Sequence, residues 1–240
     1  MSRSTLITSL VLSWILFSSG CGGGSSQTSP SESLDFKTSG TYDLSQYLIP
    51  TQNQTMISTT RIYNDGGGDK KYAATPIEIS QSTTRYDVTD TTVKEYTDTV
   101  LEATYTIAPT DITLVSDALS TKLVRHADMG DTIIKYTQTL SLQEFNTTFE
   151  MPVTCSLTNH INSKATFNNV LEASCLITGT FSGIYNNVDL NGTALGTMTL
   201  FLAKNLGLIG SNMEVCYTNN DDNTTTSVCQ KTIDEVDSIY

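Results

Sequence analysis

The sequence predicts an all-β fold, a single domain built on an antiparallel curved sheet or an open barrel, lipocalin-like or half-barrel. Three observations predict it. Apolar and polar residues alternate with a period of two along most of the chain beyond residue 40. Turn-forming residues punctuate these runs at short intervals. Threonine, β-branched and suited to pleated, half-exposed surface, supplies 40 of the 240 residues.

The alternation is cleanest in two places. Leu101, Ala103, Tyr105 and Ile107 share one face, with Glu102, Thr104 and Thr106 on the other. Ile134, Tyr136, Leu140 and Leu142 oppose Lys135, Thr137, Thr139 and Ser141. Such runs are antiparallel strands with one wet face. Less regular runs occur at 56–63, 76–80, 85–93, 112–115 and 123–126. Turns are expected at 64–69, 108–111 and 128–131, and Asn191-Gly192 is a two-residue hairpin signal between 183–190 and 193–205. No segment carries a helical stripe of three turns. The best short helical candidate is 42–49, stopped by Pro50. A closed barrel, a half-barrel and a two-sheet sandwich all share this pattern.

Charge narrows the partners. The chain has 13 basic and 25 acidic residues, a net charge of -12. No basic patch exists to displace phosphate counterions, so nucleic acid is not an expected partner. The apolar fraction, 38%, is too high for a wholly disordered chain.

Residues 1–20 read as a secretory signal: Arg3, an apolar run from Leu6 to Phe17, then Ser18-Ser19-Gly20. The run is short for a membrane span, which needs about 20 apolar residues. Cys21 directly after these small residues resembles the lipobox of bacterial lipoproteins, with Ser18 standing where that family usually has Leu. The resemblance implies that Cys21 is lipidated and anchors the protein to the membrane. Gly22, in place of the Asp linked to inner-membrane retention, implies the outer membrane of the cell envelope. Residues 21–40 are rich in Gly and Ser and read as a flexible tether. The β domain is expected over 41–240.

Four cysteines remain for an oxidising compartment, and four allow three connectivities. Cys155 and Cys175 lie in neighbouring strand-like runs. Cys216 and Cys229 flank a polar loop. The expected pairs are therefore Cys155–Cys175 and Cys216–Cys229, each worth about 3 kcal/mol by closing a short loop.

Chemical motifs are sparse, and the expected catalytic, cofactor and metal sets are all none. His126 and Asp128 share a strand face without a nucleophile beside them, and His160 lies near a loop. Ser182 in Gly179-Thr-Phe-Ser-Gly183 sits one place late for a nucleophile elbow. The oxygen-rich stretch 219–223 and the pair Asp65 and Asp69 read as exposed loops rather than cation sites. Tyr63, Tyr72, Tyr86, Tyr96, Tyr105 and Tyr136 read first as cross-strand packing residues.

Several segments resemble uncharacterised lipoproteins of sulfur-oxidising and ε-type bacteria: 43–50, 124–132, 155–160, 169–175 and Leu202-Ala-Lys-Asn-Leu-Gly-Leu-Ile209. The resemblance implies an envelope compartment and a β architecture and carries no chemistry with it. The expected function is a membrane-anchored binding or carrier module for an apolar or amphiphilic small molecule. The alternative is a structural or assembly lipoprotein binding an envelope protein or glycan. A hydrolytic enzyme is the least expected.

Overall fold

The computed structural model describes residues 27–28, 34–64, 72, 74–97, 99–116, 119–142, 147–185, 188–219 and 226–240. Fifteen strands are described: β1 (Gln27–Thr28), β2 (Tyr42–Asp43), β3 (Gln54–Asn64), β4 (Glu78–Val88), β5 (Thr92–Thr97), β6 (Val100–Ile107), β7 (Asp111–Ser116), β8 (Ser120–Val124), β9 (His126–Ala127), β10 (Thr132–Leu142), β11 (Thr147–Lys164), β12 (Phe167–Tyr185), β13 (Val188–Ala203), β14 (Gly207–Asn219) and β15 (Thr226–Ile239). The helical candidate at 42–49 contributes one 3₁₀ turn, Leu44–Gln46, capped by the Asp43 carboxylate.

Twelve of these strands form one antiparallel barrel. The order runs from β10 through β15, then β3 through β8, and β8 meets β10 again at Leu123 and Ile134. Of the architectures that alternation left open, the closed barrel is the one found. β1 adds a short ladder to β10, and β2 pairs with β9 in a separate two-stranded sheet.

The barrel is taller on one side. β12 has 19 residues and β8 only 5, roughly 60 Å against about 16 Å of extended chain. The reason lies in the punctuation. The tall wall from β11 to β14 has few interior turn signals, whereas the short wall is cut repeatedly. The run 85–93 is one such case. It divides at a turn in which Thr89 N–H donates to Thr92 O at 2.8 Å and Thr92 N–H donates to Thr89 Oγ1 at 3.1 Å.

One turn differs from expectation. Asn191 and Gly192 lie inside β13, paired with Ser182 and Phe181, and the chain reverses between Tyr185 and Val188. The ladder with β12 continues through Asn191-Gly192 to Tyr185 and Val188, so sheet pairing overrides the local turn preference. The turns at 108–111 and 128–131 are present. Ala108 N–H donates to Asp111 O, Asp131 N–H to Asp128 O, and Gly130 has φ 90°.

Between β11 and β14 the described interior is apolar and packed. Met151, Val153, Leu157, Leu171, Ala173, Ile177, Met198 and Val215 are all buried on inward positions. A water-filled lumen at these levels would leave the same side chains wet. The outward positions between them are hydroxyl-rich: Thr178, Thr180, Thr193 and Thr197 are exposed. This polarity is the reverse of a membrane-spanning barrel, whose outward band is apolar. Among the described residues no helix is long and apolar enough to cross a membrane.

Two glycines let the walls approach. A Cβ on Gly196 would sit 2.7 Å from Val215 Cγ2 and 2.8 Å from Glu214 O. Gly207, at φ 86°, passes under Pro50, whose Cδ would lie 3.1 Å from a Cβ there.

The segment before β3 closes one end. Leu44 is fully buried and Tyr47 nearly so, both packed in the main core. Tyr47 donates its hydroxyl to Asn169 Oδ1 at 3.0 Å, and Pro50 bridges to Leu206. Residues 34–43 run to this end along the outside of β8–β10, with Leu34 and Phe36 packed against the same core.

Candidate functional site

The most unusual chemistry lies inside the wall formed by β3 to β6 and β14 to β15. Gln54, Tyr86, Glu95 and Ala103 face one another in register across four strands. All four are buried. Their placement follows from parity: Glu95 shares the inward face with Val93, and Tyr86 with Thr84.

Tyr105 donates its hydroxyl to Glu95 Oε2 at 2.9 Å. Burial pushes the Glu95 carboxyl up to about 7; the Tyr105 hydrogen bond opposes this and the neighbouring Glu102 charge adds to it. Burial likewise pushes both phenols well above their ordinary range, and the Glu95 charge reinforces it. Asp234 lies on the same side of the interior. Thr60 donates to its Oδ1 at 2.7 Å, and burial raises its carboxyl despite that bond. A cavity of about 20 Å³ lies between Ser58, Thr84, Tyr86 and Asp234, room for a single water. Gln54 donates to Leu206 O at 2.9 Å, while its Oε1 and that of Gln230 are buried without a hydrogen-bond partner among the described residues. The chemistry available is proton binding and hydrogen bonding. Among the described residues no three His, Cys, Asp or Glu side chains are grouped to hold a metal ion.

The residues singled out from sequence go elsewhere. His126 pairs in register with Asp43 at the closed end. The Asp128 carboxylate accepts from the Thr41 backbone at 2.9 Å and lies 3.8 Å from Lys37 Nζ. His160 Nε2 is 2.8 Å from Asn169 Oδ1, and its ring stands edge-on to Tyr42. Ser182 lies in β12, paired in register with Asn191. The loop 220–225 and Asp65 and Asp69 lie outside the described residues. Of the six tyrosines, Tyr86 and Tyr136 are buried inside. Tyr96 instead carries the Arg85 guanidinium 4.4 Å above its ring.

Both cysteine pairs are bonded, Cys155–Cys175 and Cys216–Cys229. Each joins residues directly opposite in adjacent strands. The first faces the core beside Val153 and Ile177. The second shares the outward face with Glu214 and Lys231. Next to it lies an exposed apolar pair: Leu195, opposite Cys216, is 61% exposed, and Leu176, on the diagonal, is 51% exposed. Thr154, Thr178 and Thr197 surround them.

Glu95 and Asp234 were missed from sequence. The available signal was parity, since Glu95 falls two residues from Val93 on an inward face. Comparisons with protein-family models, with curated proteins and with solved structures find no match for this chain.

Proposed function

We propose that this protein is a membrane-tethered module of the cell envelope that binds a partner protein on the outside of its tall wall. The observation that supports this reading is the packed apolar core between β11 and β14 at the described levels. A cargo at those levels would have to displace core side chains, which favours recognition on the exterior. There Leu176 and Leu195 form an apolar centre with a rim of threonine hydroxyls, the arrangement of protein–protein interfaces. Anchoring through Cys21 would hold this wall near the membrane surface, with an outer-membrane location implied by the lipobox-like signal.

The test is photocrosslinking in intact envelopes. A crosslinkable residue at position 195 is expected to trap one discrete protein, and the same residue at Lys94 on the short wall is not. Equal labelling at both positions, or a lipid copurifying with the barrel in place of a protein, would return the carrier reading to first place.

A further inference from the structure

We propose that residues 34–50 are a latch that holds the barrel closed at its weakest ladder, the seam between β8 and β10. The seam has a single described ladder pair, Leu123 with Ile134. The neighbouring ladders β7–β8 and β10–β11 are paired along the length of the shorter strand or nearly so. Among the described residues, beyond that pair the two strands are joined only by the connection 125–131, so whatever fixes this connection also fixes the seam.

The latch fixes it. Lys37 Nζ reaches Asp131 at 2.6 Å, just before β10. Phe36 lies beneath Lys122 of β8, 5.9 Å from ring centre to Nζ. Thr41 caps Asp128 through both its backbone N–H and its hydroxyl. Asp43 accepts from Arg125 Nε at 3.1 Å and Nη2 at 3.0 Å, while Nη1 of the same guanidinium donates to Ala108 O at 3.0 Å. Arg125 directly follows β8 and Asp131 directly precedes β10, so the two ion pairs grip both ends of the connection that joins the seam strands. Leu44 then enters the core, with its N–H donated to Arg125 O at 2.6 Å. Beyond it, Tyr47 and Pro50 fasten the segment to the far wall at Asn169 and Leu206. Gly40 allows the close passage, since a Cβ there would fall 2.8 Å from Ala127 N.

The latch makes opening of the seam an event separate from global unfolding. The latch needs only the contacts above and does not rest on anchorage through Cys21. Hydrogen exchange on the full mature chain tests it. In the double variant Lys37→Ala, Asp43→Ala, the amides of Leu123 and Ile134 are expected to exchange at least tenfold faster, with those of Ala173 and Leu200 unchanged. Unchanged seam amides would overturn the proposal. So would a uniform rise at all four, which would make the segment an ordinary part of the core. Should the double variant fold poorly, Lys37→Ala alone alters only the part-exposed ion pairs with Asp131 and Asp128. It is read the same way, with about a threefold change expected at the seam.

Discussion

Tyr105 and Glu95 are joined by a 2.9 Å hydrogen bond from neighbouring strands, inside a wall where no basic side chain is described to neutralise the carboxylate. A buried acid in that setting holds its proton more tightly than it does in the unfolded chain.

The pH dependence follows by linkage. Below about pH 4.5 Glu95 is protonated in both states and costs nothing. Between about pH 4.5 and its folded value of about 7, the unfolded chain ionises first and stability falls as pH rises. Above that the loss levels off, at about 3 kcal/mol as an order of magnitude. Glu95→Gln is expected to flatten this slope and raise the melting temperature at pH 8. An unaltered slope in thermal melts from pH 4.5 to 8 would remove Glu95 as its source. Asp234, also raised by burial, contributes in the same direction.

Acid destabilisation has a different origin. The Asp43 carboxyl is held low by hydrogen bonds from Arg125 and Ser45 against the cost of its own burial. Asp131 is held low by the Asp128 backbone N–H and by Lys37. Their contribution is present above the ordinary Asp value and is lost as pH falls through the lower folded values. The expected result is a drop in stability below about pH 4 that is diminished in Asp43→Asn. A drop of the same size in that variant would place the acid sensitivity elsewhere.

The two disulfides differ in what surrounds them. Replacing Cys216 and Cys229 by Ser is expected to cost about 3 kcal/mol, mostly through the unfolded chain. Replacing Cys155 and Cys175 by Ala also removes packed sulfur from the core, adding a cavity cost of about 1 kcal/mol or more. Urea denaturation midpoints in the order wild type, outer pair removed, inner pair removed are expected. The reverse order would contradict the inward placement of Cys155 and Cys175.

Gly196→Ala puts a methyl group against Val215 Cγ2 and the Glu214 carbonyl. Valine can shift but the backbone carbonyl is fixed by its ladder, so a loss of about 1–3 kcal/mol is expected. A variant as stable as wild type in the same denaturation series would mean that β13 and β14 are spaced further apart than described.

Anchorage is the remaining expectation. Cys21→Ala is expected to move the protein from the detergent phase to the aqueous phase and to abolish lipoprotein processing, because the lipid would be its only hold on the membrane. A Cys21→Ala protein that stays equally membrane-bound would end the lipoprotein reading.

Alternation around Ala103 and Tyr136 was enough to read strands and their buried faces. Cys155, Cys175, Cys216 and Cys229 were pairable because each pair flanks one local reversal. Both are near-neighbour properties, governed by pleat parity and short loops. The same alternation could not separate barrel from sandwich, because closure depends on β15 pairing back onto β3, from Gln230 with Asn64 to Ile239 with Met56, after the chain has passed once around, and on the single pair Leu123–Ile134 at the seam of β8 with β10. It also placed a turn at Asn191-Gly192, where pairing with Ser182 and Phe181 of β12 holds the chain extended.

The sequence by itself determined the all-β class, the partition of wet and dry faces, the cysteine pairing and the net charge of -12. Tertiary structure alone decided that the sheet closes and that residues 34–50 span its seam. It also decided that Glu95 and Asp234 sit where burial raises their affinity for a proton. The physical reason is range. Parity and loop closure act over a few residues, whereas closure, plugging and desolvation exist only when strands distant along the chain share one interior.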